Sequence, residues 1–281
     1  MPTGAELLNQ MERIQVIDNS LAIWGLGQMG VAIKGPDGIL YIDPCLSDVL
    51  VNQLSDWWAR AYDPPLQPSE VNNATHILSS HEHLDHLDPE TLAPAAKASP
   101  NAKFVVTGWS RDIMADMDIG DDRLIVPKEQ ETITLPGTSA KLTAIRAAHY
   151  DLEYDAEKGY RYFGYIIEWN GVTFYHSGDT LIFKEYLDIL QAAPQIDIAM
   201  LPVNGRDYYR ETDVGAAGNL WGREAARLAK DMGWKMVIVG HNDLYPNNTM
   251  PFANIASDFE RIAPRQPYKA LQPGELYYFA K

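Results

Sequence analysis

Apolar residues first recur at helical spacing, in Leu7, Leu8 and Met11, behind Thr3-Gly4-Ala5-Glu6, whose Thr and Glu stand at capping-box spacing. The pattern predicts a short amphipathic helix over 3–13. It then shortens to strand-like runs at Leu21 to Leu26, Gly30 to Lys34 and Ile39 to Asp43, punctuated by Gly25, Gly27, Gly35 and Gly38. An antiparallel meander is expected there. Residues 48–68, with Trp57, Trp58, Arg60 and three prolines, fit neither period and read as an irregular insertion. A buried strand follows at Thr75 to Ser79, and Asp88-Pro89-Glu90 opens a helix with a cap and a proline at its first position.

Further strands are predicted near 103–106, 123–126, 131–135 and 141–146. Tyr162 to Trp169 and Val172 to Tyr175 flank Asn170-Gly171, a two-residue hairpin signal. Beyond that point the period alternates: helix 182–192, strand 196–201, helix 219–232, strand 236–239, helix 251–262 and strand 275–279. This order predicts an α/β protein with two mixed β-sheets flanked by helices. No linker, repeat or low-complexity tract interrupts it, so a single domain over 1–281 is expected.

Composition narrows the function. Hydrophobic residues at 46% and charged ones at 22% are those of a packed globular chain. The single cysteine, Cys45, excludes an internal disulfide framework and reads as a small buried residue in a reducing compartment. With no apolar run of bilayer length and no secretory pattern in Met1 to Gln15, a cytoplasmic protein without membrane association is expected. Lys and Arg number 23 against 38 Asp and Glu, a net charge of −15 that should repel a nucleic acid. A small substrate in a pocket is the better expectation, and a homo-oligomer stays open.

The chemistry sits in Ser79-Ser80-His81-Glu82-His83-Leu84-Asp85-His86-Leu87-Asp88, between a strand and a helix. Three histidines and an acid at these places arise by chance in roughly 6 of 10,000 such chains, which favours metal ligation over a solvated loop. In an extended stretch His81 and His83 share a face and can hold one ion, while the turn toward the helix aims Asp85 and His86 at a second. Imidazole with carboxylate suits zinc or manganese, with iron also accepted. The remaining ligands must come from distant strand ends, where His149, Asp179 and His241 stand. His76 and His176 read instead as strand histidines.

This pattern resembles the metallo-β-lactamase fold superfamily, whose signature is His-x-His-x-Asp-His. The resemblance implies an αββα sandwich holding two divalent ions. His81, His83 and His149 would bind one, Asp85, His86 and His241 the other, and Asp179 would lie between them. Asp43 matches an early strand aspartate of structural role. Within the superfamily, Trp24-Gly25-Leu26-Gly27-Gln28-Met29-Gly30, Tyr175-His176-Ser177-Gly178-Asp179 and Gln195-Ile196-Asp197-Ile198-Ala199 look like segments of ascorbate-6-phosphate lactonase-like proteins. The likeness spans about residues 20–260, and departs from that group at Gly240-His241-Asn242-Asp243, where the lactonase has His-His-Asp.

The implied activity is a metal-dependent hydrolase in which two ions share a hydroxide formed near neutral pH, with Asp85 orienting it or carrying its proton. A centre of formal charge about +1 suits a small anionic substrate such as a sugar-acid lactone phosphate. Arg60, Arg206, Tyr209 and Arg210 are the candidates to bind its anionic part, and Trp57 and Trp58 are expected to pack or form a subunit contact, with a pocket lid as the alternative. A phosphodiesterase of the same fold and a non-catalytic metal-binding scaffold are the competing readings.

Overall fold

The computed structural model describes all 281 residues. The first half contains α1 (Gly4–Arg13), β1 (Ser20–Gly27), β2 (Gly30–Gly35), β3 (Gly38–Ile42), α2 (Val49–Gln53), β4 (His76–Leu78), α3 (Pro89–Ala98), β5 (Lys103–Val105), α4 (Arg111–Asp116) and β6 (Leu124–Ile125). The second contains β7 (Thr132–Thr134), β8 (Lys141–Arg146), β9 (Tyr154–Asp155), β10 (Gly159–Tyr160), β11 (Phe163–Trp169), β12 (Val172–His176), α5 (Tyr186–Ala192), β13 (Ile198–Pro202), α6 (Gly222–Met232), β14 (Met236–Gly240), α7 (Phe252–Ile262), β15 (Tyr268–Ala270) and β16 (Leu276–Ala280).

Two seven-stranded sheets result, in the orders β16-β1-β2-β3-β4-β5-β6 and β15-β14-β13-β12-β11-β8-β7. Hairpin neighbours pair antiparallel, whereas β3 to β6 and β12 to β15 run parallel. Alternation along the strands builds three apolar layers. Leu21, Ile23, Val31 and Ile33 meet Leu142, Tyr165, Ile167 and Phe174 between the sheets. Ala22, Trp24 and Tyr41 point the other way, toward Leu7, Met11 and Leu92 of the first helical layer. On the far side Tyr175, Ala199 and Val237 pack under Leu190, Leu228, Ile255 and Phe259. A strand covered on both faces needs apolar residues at every position, which is why β1 reads as one continuous run. The architecture is the expected αββα sandwich of two mixed sheets.

Several local expectations need correcting. Thr3 occupies the N-cap of α1 but makes no side-chain capping bond, so the capping box is not formed. Gly4, at φ +50°, instead donates its N–H to Pro65 O. The insertion over 48–68 is partly regular, holding α2 and a short 3₁₀ turn at Asp56–Trp58. Helices α5 and α6 begin at Tyr186 and Gly222, a few residues later than their periodicity suggested. At Asn170-Gly171 both residues take positive φ, +51° and +76°, as the predicted hairpin turn requires. No helix is long and apolar enough to cross a membrane.

The sheets also set out the functional end. In register, Ile42 lies beside Leu78, His176 beside Met200, and Pro202 beside Gly240. The residues that follow these strand ends, Asp43, Ser79, Asp179 and His241, therefore emerge together at one edge of the sandwich.

Candidate metal centre

Residues 81–86 leave β4 in a series of turns and bring their three imidazoles together. His81 lies 4.5 Å from His83 and 4.1 Å from His86 between ring centroids. His149, just beyond β8, stands 5.2 Å from His83 and 5.7 Å from His81. Asp179 arrives through Gly178, whose φ of +58° and close packing exclude a side chain, since a Cβ there would sit 2.5 Å from Phe163 O and 2.8 Å from Ser80 Cβ. His241 takes φ +61° after β14, a left-handed conformation held by its N–H donating to Gln28 O at 2.9 Å.

The donor atoms fall into three overlapping groups, each within 4.8 Å: His81, His83 and His149; His81, His86 and Asp179; Asp85, His86 and His241. Asp179 occupies the middle. Its Oδ1 is 3.3 Å from His86 Nε2, and its Oδ2 is 3.1 Å from His241 Nε2 and 3.6 Å from His149 Nε2. Asp85 Oδ2 lies 3.3 Å from His241 Nε2 and 3.5 Å from His86 Nε2. All seven residues singled out in the sequence thus converge at one place.

Whether the site fits a metal can be judged from its unpartnered atoms. His81 Nε2, His86 Nε2 and Asp179 Oδ1 are buried and accept or donate no hydrogen bond. Buried polar atoms are almost always paired, so three at the focus of a ligand set mark donors arranged for a cation. A supporting shell fixes their orientation. Asp43 accepts from Ser80 N–H and Ser80 Oγ, both at 2.7 Å, and sits 2.7 Å from His86 Nδ1. With its hydroxyl proton on Asp43, Ser80 Oγ can accept from His81 Nδ1 at 3.0 Å. Both imidazoles then keep Nδ1–H and present Nε2 to the centre, the usual arrangement behind metal-binding histidines.

Charge follows the same division. Burial holds His81 well below its ordinary value, and burial beside His83 and His241, opposed by Asp179, brings His149 down to about 4. Both are neutral imidazoles. For His86 burial works against protonation, but Asp179, Asp85 and Asp43 overcome it and raise the group well above its ordinary value. His241, equally buried, is lifted to about 9 by Asp179 and Asp85. The two aspartates resist burial through these same histidines and lie well below the carboxylate range.

Gln28 is a member of this site that sequence reasoning quoted only as part of a motif. It turns the β1–β2 hairpin at φ +54° and donates from Nε2 to Asp85 Oδ2 at 2.8 Å. Its backbone N–H reaches Asp243 Oδ1 at 3.3 Å while its carbonyl holds His241. No local feature of the sequence sets it apart from its motif, since its positive φ is a property of the fold.

The residues expected to grip an anionic substrate are placed otherwise. Arg60 is buried and donates from Nη1 to Cys45 O at 3.0 Å and Ser47 O at 2.8 Å. Arg206 pairs with both carboxylate oxygens of Glu224 at 2.8 Å. Arg210 reaches Asn204 O at 3.1 Å and Asn248 Oδ1 at 2.8 Å, and Tyr209 is exposed. None of the four lines the cavity that opens over the ligands. That cavity, about 320 Å³, has His83, Asp85, His149, Asp179 and His241 at its base. Leu50, Leu54 and Trp58 of the insertion wall it, with Leu84 and Gly215 to Ala217, so Trp58 is a pocket residue; Trp57 packs edge-on against it at 4.6 Å.

Residues 39–242 match the family model of the β-lactamase superfamily domain. The chain belongs to that superfamily. The match contains every ligand candidate, from the 81–86 cluster to His241. A metal-dependent hydrolase of the UPF0173 group from Pyrococcus furiosus is 27% identical over 89% of this chain and 96% of its own. A probable L-ascorbate-6-phosphate lactonase of Salmonella heidelberg is 22% identical over 87% of this chain and 75% of its own. Among solved structures, a metallo hydrolase from Ignicoccus hospitalis superposes with a TM-score of 0.66 at 18% identity, covering 93% of this chain and 99% of that one. This β-lactamase superfamily member has the metallo-β-lactamase fold.

Proposed function

We propose that this protein hydrolyses a small ester or lactone at a site holding two divalent ions. The coarse activity, a metal-dependent hydrolase, rests on superfamily membership and on relatives such as the Pyrococcus furiosus hydrolase. The finer reading is carried by one observation: seven donors form overlapping triads about Asp179, with buried donor atoms that have no protein partner. His81, His83 and His149 would hold one ion and Asp85, His86 and His241 the other, with Asp179 facing both. Nitrogen and oxygen donors of this kind accept zinc, manganese or iron. When bound, such ions supply Lewis acidity and a hydroxide at neutral pH.

The chain's own groups do the rest. Asp85 faces the cavity with Oδ2 fixed by the Gln28 amide, so it can orient an attacking water. Asp43 and Ser80 keep His86 and His81 in the orientation that leaves Nε2 inward. Tyr162, packed 5.1 Å from His81 and 5.5 Å from His149 between ring centroids, covers that side of the ligands against bulk water.

Elemental analysis of the purified protein is expected to find two equivalents of metal per chain. His83→Ala should lower ester or lactone turnover by at least about 100-fold and reduce the metal content. Full activity in metal-free protein, or in the variant, would end this reading.

A further inference from the structure

We infer that the substrate is a neutral ester or lactone bearing a compact apolar group that seats against Trp58 and Leu54, and that a phosphorylated sugar lactone is disfavoured. This rests on the hydrolase reading above and names the substrate class of that same site. The observation is the chemistry of the wall. No lysine or arginine lines the cavity, and the only charged side chain there apart from the ligands is Glu82. Glu82 Oε1 is bound by Arg161, while Oε2 is buried without a partner. A phosphate on the part of the substrate away from the ligands would lose its water beside a carboxylate and gain no lysine or arginine in return.

Nearby cations are already committed. Arg60 holds the Cys45 and Ser47 carbonyls, Arg206 is clamped in parallel on Glu224, and Arg161 bridges Glu82 and Glu153. Freeing any of them would leave a buried or half-buried acceptor unsatisfied. The apolar wall, in contrast, is ready for a ligand. Leu54 keeps 59% of its surface exposed at the cavity edge. Trp58 is held edge-on against Tyr245 at 5.6 Å, so its ring is positioned before anything binds. About 320 Å³ lies at the small end of ligand pockets, which fits a short acyl or lactone alkyl chain. In the reaction the water oxygen bonds to the carbonyl carbon and the ester C–O bond breaks. One water proton goes to the leaving oxygen, and the acid product releases its own to solvent.

The test compares γ-nonalactone and p-nitrophenyl butyrate with 6-phosphoglucono-δ-lactone on the zinc- or manganese-loaded protein. Expected is a kcat/KM at least about tenfold higher for the two neutral compounds. Trp58→Ala should raise their KM about fivefold with little change in kcat, because it removes binding common to ground and transition states. Leu54→Lys, at an exposed position that tolerates charge, should shift the preference about tenfold toward the phosphorylated lactone. A wild-type preference for the phosphorylated lactone would overturn the substrate class and leave the hydrolase standing. Failure to turn over any of the three when metal-loaded would overturn the hydrolase reading itself.

Discussion

His76, at the start of β4, is buried with neither ring nitrogen hydrogen-bonded. Burial, with Lys103 beside it in register, lowers its pKa from 6.5 to about 4. The folded protein thus keeps the ring neutral while the unfolded chain takes up a proton near 6.5. Its contribution to stability is fully present above that pH and is lost as the pH falls from 6.5 toward about 4. His76→Leu should remove this dependence. Urea midpoints of wild type and variant are expected to diverge in the variant's favour between pH 7 and 4.5, the difference cancelling acid effects elsewhere. Parallel curves would show that the ring is protonated or solvated in the fold. The same scale accounts for the placement of the arginines. A guanidinium has five donors, and backbone carbonyls of nearby loops hold Arg60 through Nη1 and Arg210 through Nη1 and Nη2, while Arg60 Nη2 is buried without a partner.

Between elements, the turn after β12 is the critical joint, because it delivers Asp179 across the gap between the sheets. Gly178→Ala combines a left-handed φ, worth about 1–2 kcal/mol, with a clash against Phe163 O and Ser80. It should destabilise by more than about 2 kcal/mol and lower metal content together. Gly233→Ala is the matched control, since that glycine caps α6 at φ +64° with open space around its absent Cβ. The control should lose only about 1 kcal/mol and keep its metal. Equal losses in chemical denaturation, or retained metal in Gly178→Ala, would argue that the turn is not what places Asp179. At this scale the sequence was informative. The strand runs, the Asn170-Gly171 turn and the 79–88 cluster were legible because their signals are local: short apolar runs bounded by turn residues, a two-residue turn, a six-residue spacing. The capping box of α1 was not, since the Glu6 N–H that the Thr3 side chain would cap bonds to the Thr3 carbonyl instead.

Over the whole molecule, a net charge of −15 surrounds a centre where carboxylates and imidazoles converge. Chelation should leave His81 Nε2, His86 Nε2 and Asp179 Oδ1 buried without partners, at about 1–3 kcal/mol each. The melting midpoint of chelator-treated protein is therefore expected to fall by at least about 5 °C and to recover on adding zinc or manganese. An unchanged midpoint with no metal response in calorimetry would contradict a bound ion. The three apolar layers carry the remaining stability and should keep the protein folded when the ions are removed.

Sequence by itself determined two mixed sheets flanked by helices and the His81–His86 cluster, because period and spacing are local signals, while the αββα sandwich and the place of His149, Asp179 and His241 in one ligand set were implied by the resemblance to the superfamily. Tertiary structure alone decided that Gln28 holds Asp85 and His241, that Trp58 and Leu54 wall the cavity, and that Arg60, Arg206 and Arg210 turn away from it. These depend on which groups meet across long stretches of chain. A long flexible cation takes whichever acceptor the fold brings near, and no local pattern encodes that choice.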